Sequence, residues 1–361
     1  METSVPPHCP NPECAFHCPS VGWRFKRSGY FERKHCTPTR IQRYRCLHCR
    51  RNFSSQTFEA TYWMHKPHLQ ERIFRRTQAC SGTRQISFDE GISHSTVLLH
   101  LARLGRHCLL FQHGHQPQKV EEPLVLDGFE SFEYSQYHPF HFNVLVGKDS
   151  HFFHQFTDSP LRRKGRMTIR QKHRRGKLEE QLGRPDPKAI EKAVAEVLRL
   201  GLSGSRELVL HSDDHPAYPR AFKALPHLKI EHHVTPSTDR RTPQNPLFPV
   251  NLLDLLIRHG GSNHKRETIA FSKRRQGAIE RLAMLQVWRN FMRPYSVQKG
   301  GPTPAQRAGV MATRLSVEAL LARRLFPSHV QLPESLMKYY RRQVRTPALG
   351  VNREHRLKYA F

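Results

Sequence analysis

Two sets of residues in this chain have the types and spacing that chemistry requires. Cys9 and Cys14 in CPNPEC, and Cys46 and Cys49 in YRCLHCRRNFS, form two short-range thiol pairs about thirty residues apart. Four thiolates close a tetrahedral site for a soft ion such as zinc, with no position left for a substrate, so this metal is expected to be structural. It would supply folding energy to a segment too small for much core. His17 and Cys18 stand close enough in sequence to replace a ligand of the first pair. Cys36, Cys80 and Cys108 are given no role.

The second set is acidic. LVLDGFE carries an apolar run, Leu124 to Leu126, that ends in Asp127, and RELVLHSDD carries Leu208 to Leu210 before Ser212 and Asp213. Buried strands that each deliver an aspartate at their end set both carboxylates at one sheet edge if the strands are neighbours. Phosphodiester hydrolysis or transfer needs charge neutralised on the attacking and leaving oxygens, and two Mg2+ ions about 4 Å apart, bridged by shared acids, do both. A third acid completes such a cage.

Strands and helices must hold these groups in place. FHFNVLVGK and HFFHQFTDS read as two further strands after the one ending in Asp127, and LKIEHHVT as a last one after Asp213. Between them PDPKAIEKAVAEVLRLGL keeps a 3.6-residue apolar period at Ile190, Val194, Val197 and Leu198, with Gly201 as the stop. The order is strand, strand, strand, helix, strand, strand. Upstream, LQERIFRRTQAC has helical spacing, SGTRQISFDEG ends in Gly91, and Val97, Leu101 and Leu104 form one apolar stripe behind Ser93, a good N-cap. Helix, glycine-bearing turn, helix can place a second helix in a major groove.

Composition narrows the partners. Fifty-nine Lys and Arg against thirty Asp and Glu give a formal charge of +29 in 361 residues, which attracts polyanions. No stretch approaches the roughly 18 apolar residues of a spanning helix, and METSVPPHCPNPEC has no apolar signal core, so no membrane is expected. Thiol pairs of this kind fit a reducing cytoplasm. Basic residues and aromatics interleave from Arg24 to Phe53, as in ribbons that touch phosphates. LRRKGRMTIRQKHRRGK, with nine Lys or Arg and no acid, is expected as a loop that could clamp a duplex through Arg163 and Lys164. GGPTPAQRAG after Lys299 reads as a linker to a basic tail. The 25 histidines are given no catalytic or metal role, His17 apart.

From Cys9 to about Arg293 the chain resembles the insertion-sequence transposases of the acidic-triad (DDE) type, which carry an N-terminal zinc ribbon, a helix-turn-helix and a ribonuclease-H-like catalytic domain. The resemblance implies an α/β fold, a ribonuclease-H-like mixed sheet with helices, preceded by a small zinc ribbon and an all-α helix-turn-helix segment. Its implied divisions are ribbon 1–58, helix-turn-helix 66–112, catalytic domain 121–295 and basic tail 300–361. It matches the first acid to Asp127 and the second to Asp213, with Tyr218 five positions on, in preference to Asp214. The third, a glutamate on a late helix with a basic residue seven positions later, matches Glu267 with Arg274. Asp254, three residues after Asn251, and Glu280 also occupy helix-like settings and remain alternatives. Trp288 and Asn290 match the end of that helical region, with a packing role.

Further implications are two Mg2+ (or Mn2+) ions on the triad, one Zn2+ on the four cysteines, and double-stranded DNA as the partner, both element ends and target. DNA contacts are expected from Arg50, Arg51, Ser93, Ser95, Thr96, Arg163, Lys164 and Arg274. At least a homodimer on DNA, associated with the nucleoid in the cytoplasm, is expected. The competing expectation is a DNA-binding regulator whose catalytic body has decayed.

Overall fold

In the computed structural model, which describes residues 5–34, 38–117, 119–202, 204, 206–265, 267–352 and 354–355, the chain opens with a three-stranded antiparallel ribbon. Its strands are β1 (Phe25–Glu32), β2 (Arg40–Cys46) and β3 (Asn52–Ser54). Their small core is aromatic: Phe53 stacks on Tyr44 at 5.4 Å between ring centres, and Trp23 and Phe25 close over them. Cys36 lies outside the described residues.

Three helices follow: α1 (Leu69–Gln78), α2 (Thr83–Asp89) and α3 (His94–Gly114). The segment expected as one turn between two helices contains α2, and the tight turn falls between α2 and α3, where Gly91 takes φ +58°. Ser93 caps α3, its Oγ accepting from the Thr96 amide at 3.2 Å, and Val97, Leu101 and Leu104 form the buried stripe that the sequence spacing requires. Over its 21 residues α3 runs on into the body, where Gly105 lies against the backbone and Cβ of Glu280.

The body is a five-stranded mixed sheet. Its strands are β4 (Leu124–Phe132), β5 (Pro139–Gly147), β6 (Phe153–Pro160), β7 (Glu207–Ser212) and β8 (Lys229–Val234), in spatial order β6-β5-β4-β7-β8. The first three form an antiparallel meander; β7 joins β4 in parallel and β8 joins β7 in parallel. Three antiparallel strands, a helical crossover, and a parallel strand docked beside the first make the ribonuclease-H-like arrangement, and every expected strand is present.

Each face of the sheet has its own core, because successive strand residues point to opposite sides. Leu124, Leu126, Leu208 and Leu210 pack with α5 (Ala189–Gly201) and α6 (Ala217–Phe222). Val125, Phe129, Phe142 and Val144 pack with α7 (Phe248–Gly260) and α8 (Arg275–Val287).

Two stretches differ from the sequence expectation. The basic run expected as a loop folds from residue 169 as α4 (Ile169–Leu182), started by a capping box between Thr168 and Gln171 and stopped at Gly183, φ +82°. None of its side chains is buried, so there was no apolar period to find; caps and helix-favouring Arg, Lys, Gln and Glu define it. The stretch expected as a linker is packed: Thr303 caps α9 (Pro304–Arg307), and Ala305 is fully buried in the main core. Three short helices follow, α10 (Val317–Leu321), α11 (Pro327–Val330) and α12 (Glu334–Tyr340). Tyr339 donates to Asp158 at 2.6 Å, and Arg275 pairs with Asp158 at 3.0 Å, which ties this tail to the edge strand β6 and to α8.

Candidate active site and metal centre

Register builds the acidic site. In the parallel pair, Leu124 lies opposite Leu210, Val125 opposite His211 and Leu126 opposite Ser212, so Asp127 and Asp213 follow as the next pair on adjoining strand positions. Alternation turns Asp127 to the face of Val125, the face covered by α7. On that face stands Asp254 of α7, whose carboxyl burial, and then the charge of Asp127, pushes up to about 8. Asp127 itself is raised to about 6, chiefly by burial and further by Asp213, although its Oδ1 accepts from the Gly128 amide at 2.7 Å and Arg241 lies near. Tyr218, 2% exposed, is close enough to all three acids to feel their charge, and its phenol is pushed well above the ordinary range by burial first and by them second.

Asp127 lies close enough to both Asp213 and Asp254 for the charges to oppose one another, an arrangement at a half-buried edge that is unfavourable unless protons or cations join it. The Asp254 Oδ1 atom is buried and makes no hydrogen bond, which leaves a lone pair available to an ion. Among the described residues, the only groups of three or more potential ligands within 4.8 Å of one another are of cysteine or histidine, so the three carboxylates do not converge on a single point. Two ions about 4 Å apart ask for a wider, all-oxygen cage of this kind.

The structure brings Asp127, Asp213 and Asp254 together and leaves the other two candidate acids elsewhere. Glu267, expected on a helix, lies in the exposed turn region between α7 and α8. Arg274 is not two helical turns beyond it on a shared face: it is the N-cap of α8, and its guanidinium donates to the Val351 carbonyl at 2.6 Å and to Asn352. Glu280 is 2% exposed and ion-paired with Arg342 at 2.7 Å, inside the packing of α8 on α3. Asp214 is exposed and accepts from Ser237.

Several neighbours of the site carried no sequence signal. His141, on β5 across from Glu130, lies over Gly128, where a Cβ would sit 2.0 Å from its Cε1, and its Nδ1 faces the Asn143 amide oxygen at 3.2 Å. Arg258, one turn beyond Asp254 on α7, donates to the His264 carbonyl and stacks 5.5 Å from the centre of the Phe129 ring. What brings them to the site is the pairing of β5 on β4 and the docking of Arg258 on Phe129, which no local spacing encodes. Asn290, matched to a packing role, does pack: its Oδ1 accepts from the Phe153 amide at 2.8 Å, and its Nδ2 donates to the Phe153 carbonyl and to Gln112.

In the ribbon the sulfurs of Cys9, Cys14, Cys46 and Cys49 all lie within 4.8 Å of one another. Soft, closed and mostly buried, the group fits the structural zinc of a zinc ribbon. The knuckle is shaped by Arg50 at φ +58° and by the Cys46 amide donating to the Arg51 carbonyl at 3.0 Å, while Trp23 Nε1 donates to Cys46 Sγ at 3.2 Å. His17 and Cys18 are outside this group: Cys18 is exposed, and His17 turns toward the tail, 2.6 Å from Ser328 Oγ.

Of the expected DNA contacts, Arg50, Ser93, Ser95 and Lys164 are exposed and Thr96 is partly so. Arg51 reaches Asn11 at 3.0 Å and so braces the first cysteine loop, and Arg163 stacks on Tyr137 at 4.7 Å. No helix of the described residues is long and apolar enough to cross a membrane.

Among solved structures, the chain is similar to one titled as a simian T-cell lymphotropic virus intasome in complex with the PP2A regulatory subunit B56 gamma, at 14% identity over 68% of this chain and 74% of that one, TM-score 0.27. It is similar also to the HTLV-2 integrase catalytic core domain in complex with magnesium, dimeric form, at 14% identity over 54% of this chain and 98% of that one, TM-score 0.23. No family model matches the sequence. No curated protein matches it closely enough to count as a relative.

Proposed function

We propose that the chain is a DNA transposase of the insertion-sequence DDE type, with Asp127, Asp213 and Asp254 as its metal-holding acids. The observation that carries this reading is the gathering of three acids, from β4, from just beyond β7 and from α7, around one edge of a ribonuclease-H-like sheet, in a chain of charge +29. Asp254 takes the place of Glu267 as the third acid in this reading, because Asp254 is near enough to feel the charge of Asp127 while Glu267 lies in an exposed turn.

Two Mg2+ or Mn2+ ions held there would activate an attacking oxygen and neutralise the leaving one, first for water at the element end and then for a 3′ hydroxyl at target phosphate. Asp127, between the other two acids, would serve both positions; Asp213 and Asp254 would each hold one side. Arg241 and Arg258 offset part of the acid charge on the α7 side. Tyr218, buried within reach of the charge of all three acids, would help to wall the site. The zinc ribbon, α2–α3 and the cationic α4 would grip phosphates of the element ends and target, with at least two copies of the chain acting on paired ends.

The deciding experiment is cleavage and strand transfer of supercoiled DNA carrying the element ends, with Mg2+ or EDTA, for the native chain and Asp127→Ala. Metal-dependent joining that the variant loses while still binding DNA is the expected result. Binding without cleavage under any metal would replace this reading with a regulator.

A further inference from the structure

Three imidazoles meet beside the zinc ribbon. His8 precedes the first cysteine pair, His17 follows it, and His329 comes from α11 in the tail; their ligand-capable ring nitrogens lie within 4.8 Å of one another. His8 and His329 have ring centres 4.4 Å apart, and His17 and His329 4.3 Å.

Their hydrogen bonds decide which nitrogens are free. A carbonyl oxygen only accepts, so a ring nitrogen bonded to one carries the proton, and the other nitrogen of a neutral ring carries a lone pair. His17 Nδ1 lies 2.7 Å from the Cys9 carbonyl and His8 Nδ1 lies 3.0 Å from the same oxygen, which leaves both Nε2 atoms as lone pairs. His329 is bonded in turn to the backbone of His17. The Ser328 hydroxyl, 2.6 Å from His17 Nε2, donates to that lone pair and marks where it points. Imidazoles that give one N–H to a backbone carbonyl and turn the other nitrogen to a common point are arranged as metal ligands are. Phe58 and Phe326 pack edge-on against His8 at 5.2 Å and dry one side, while the exposed ring of His329 leaves an entry path on the other.

We propose that His8, His17 and His329 bind a second transition-metal ion of the zinc class, separate from the four-thiolate site, and that this ion clips the ribbon to the C-terminal segment. Nitrogen ligands suit Zn2+, Co2+, Ni2+ or Cu2+ and not Mg2+, and three of them leave one position for water or Ser328.

The test uses the full, untagged chain, stripped with a strong chelator and titrated with Co2+ in excess Mg2+. Two equivalents are expected, one giving the near-ultraviolet charge-transfer band of thiolate-bound cobalt and one giving only visible bands of nitrogen-bound cobalt. His329→Ala, which touches none of the four cysteines, should keep the thiolate band and weaken the second equivalent by about tenfold or more. Saturation of the native chain at one equivalent with the thiolate spectrum alone would overturn the proposal, as would a His329→Ala chain that binds two equivalents unchanged.

Discussion

Asp254 on α7 stands over Asp127, the fourth residue of β4, close enough that the charge of Asp127 raises the cost of charging Asp254. This pairing separates the two candidates for the third acid. Asp254→Asn should reduce DNA cleavage by about 10³-fold or more, since metal-borne charge stabilisation is worth several kcal/mol and each ~1.4 kcal/mol is tenfold. The same variant should keep its thermal stability in EDTA, because a crowded charge is gone, and lose the rise in Tm that Mg2+ gives the native chain. Glu267→Gln should leave cleavage within about threefold of native. The reverse pattern in paired cleavage assays would restore Glu267.

Gly128 and His141 test the shape of the same edge. Gly128→Ala drives a Cβ into the imidazole, at 2.0 Å from Cε1, and should destabilise by about 1–3 kcal/mol in urea unfolding, as overpacking does. Adding His141→Ala should recover most of that loss, a coupling that a double-mutant cycle measures directly. Additive losses would mean the two residues do not meet.

How much of this was legible in the sequence depends on what each residue rests on. The apolar runs that carry Asp127 and Asp213 were legible, because period and burial are local, and so were the ligands of the ribbon; but β4 does not end at Asp127 as expected, running on to Phe132 because β5 pairs with it along its whole length. Asp254 was legible only as an alternative: its partner is 127 residues away in number and next to it in space, and the choice waits on how α7 is docked. Glu267 matched a spacing template whose helix does not form there. The helix α4 buries no side chain and so left no apolar period to read. His141 and Arg258 owe their positions to cross-strand and helix-sheet packing, for which one sequence has no signal.

Zinc removal should act locally. Metal binding is folding energy for a ribbon with so small a core, and that core is six aromatic rings beside the cysteines. A thiol-competent chelator is expected to abolish amide protection in β1, β2 and β3 while β4 and β5 stay protected in hydrogen exchange, and to lower DNA affinity. Loss of protection in both sheets together would show one cooperative unit.

Asn290 is bonded to both backbone groups of Phe153. Asn290→Ala strands the buried Phe153 amide, at about 1–3 kcal/mol, and leaves the Phe153 carbonyl to Gln286 alone, so Tm should fall sharply. Asn290→Asp would bury a carboxylate against the Phe153 carbonyl and the Gln112 oxygen that the amide now donates to, and should fall at least as far; a smaller fall than Asn290→Ala would count against the donor's role.

Acid should weaken the fold through buried imidazoles. His107 is held neutral by burial, with its pKa lowered to about 4, while its Nε2 donates to the Leu320 carbonyl at 2.8 Å; His100 is lowered to about 4 as well, by burial and by Arg103. The unfolded chain takes up a proton near the ordinary value of 6.5 that the folded chain refuses until about 4, so stability declines as pH falls through that window and is untouched by these groups above it. Tm measured between about pH 8 and 4 should be flat and then fall, and His107→Gln should shallow the fall.

The parallel register of β4 and β7 makes the candidate site a matter of parity. One residue inserted before Asp127 within β4 would carry its carboxyl through the sheet into the leucine layer, where no other acid waits, although every side chain of the site would still be present. Insertions in the turn from Glu133 to His138 change no such count. The chain can therefore vary widely in its loops and still keep its acids together, but it has no freedom to lose count along two short strands.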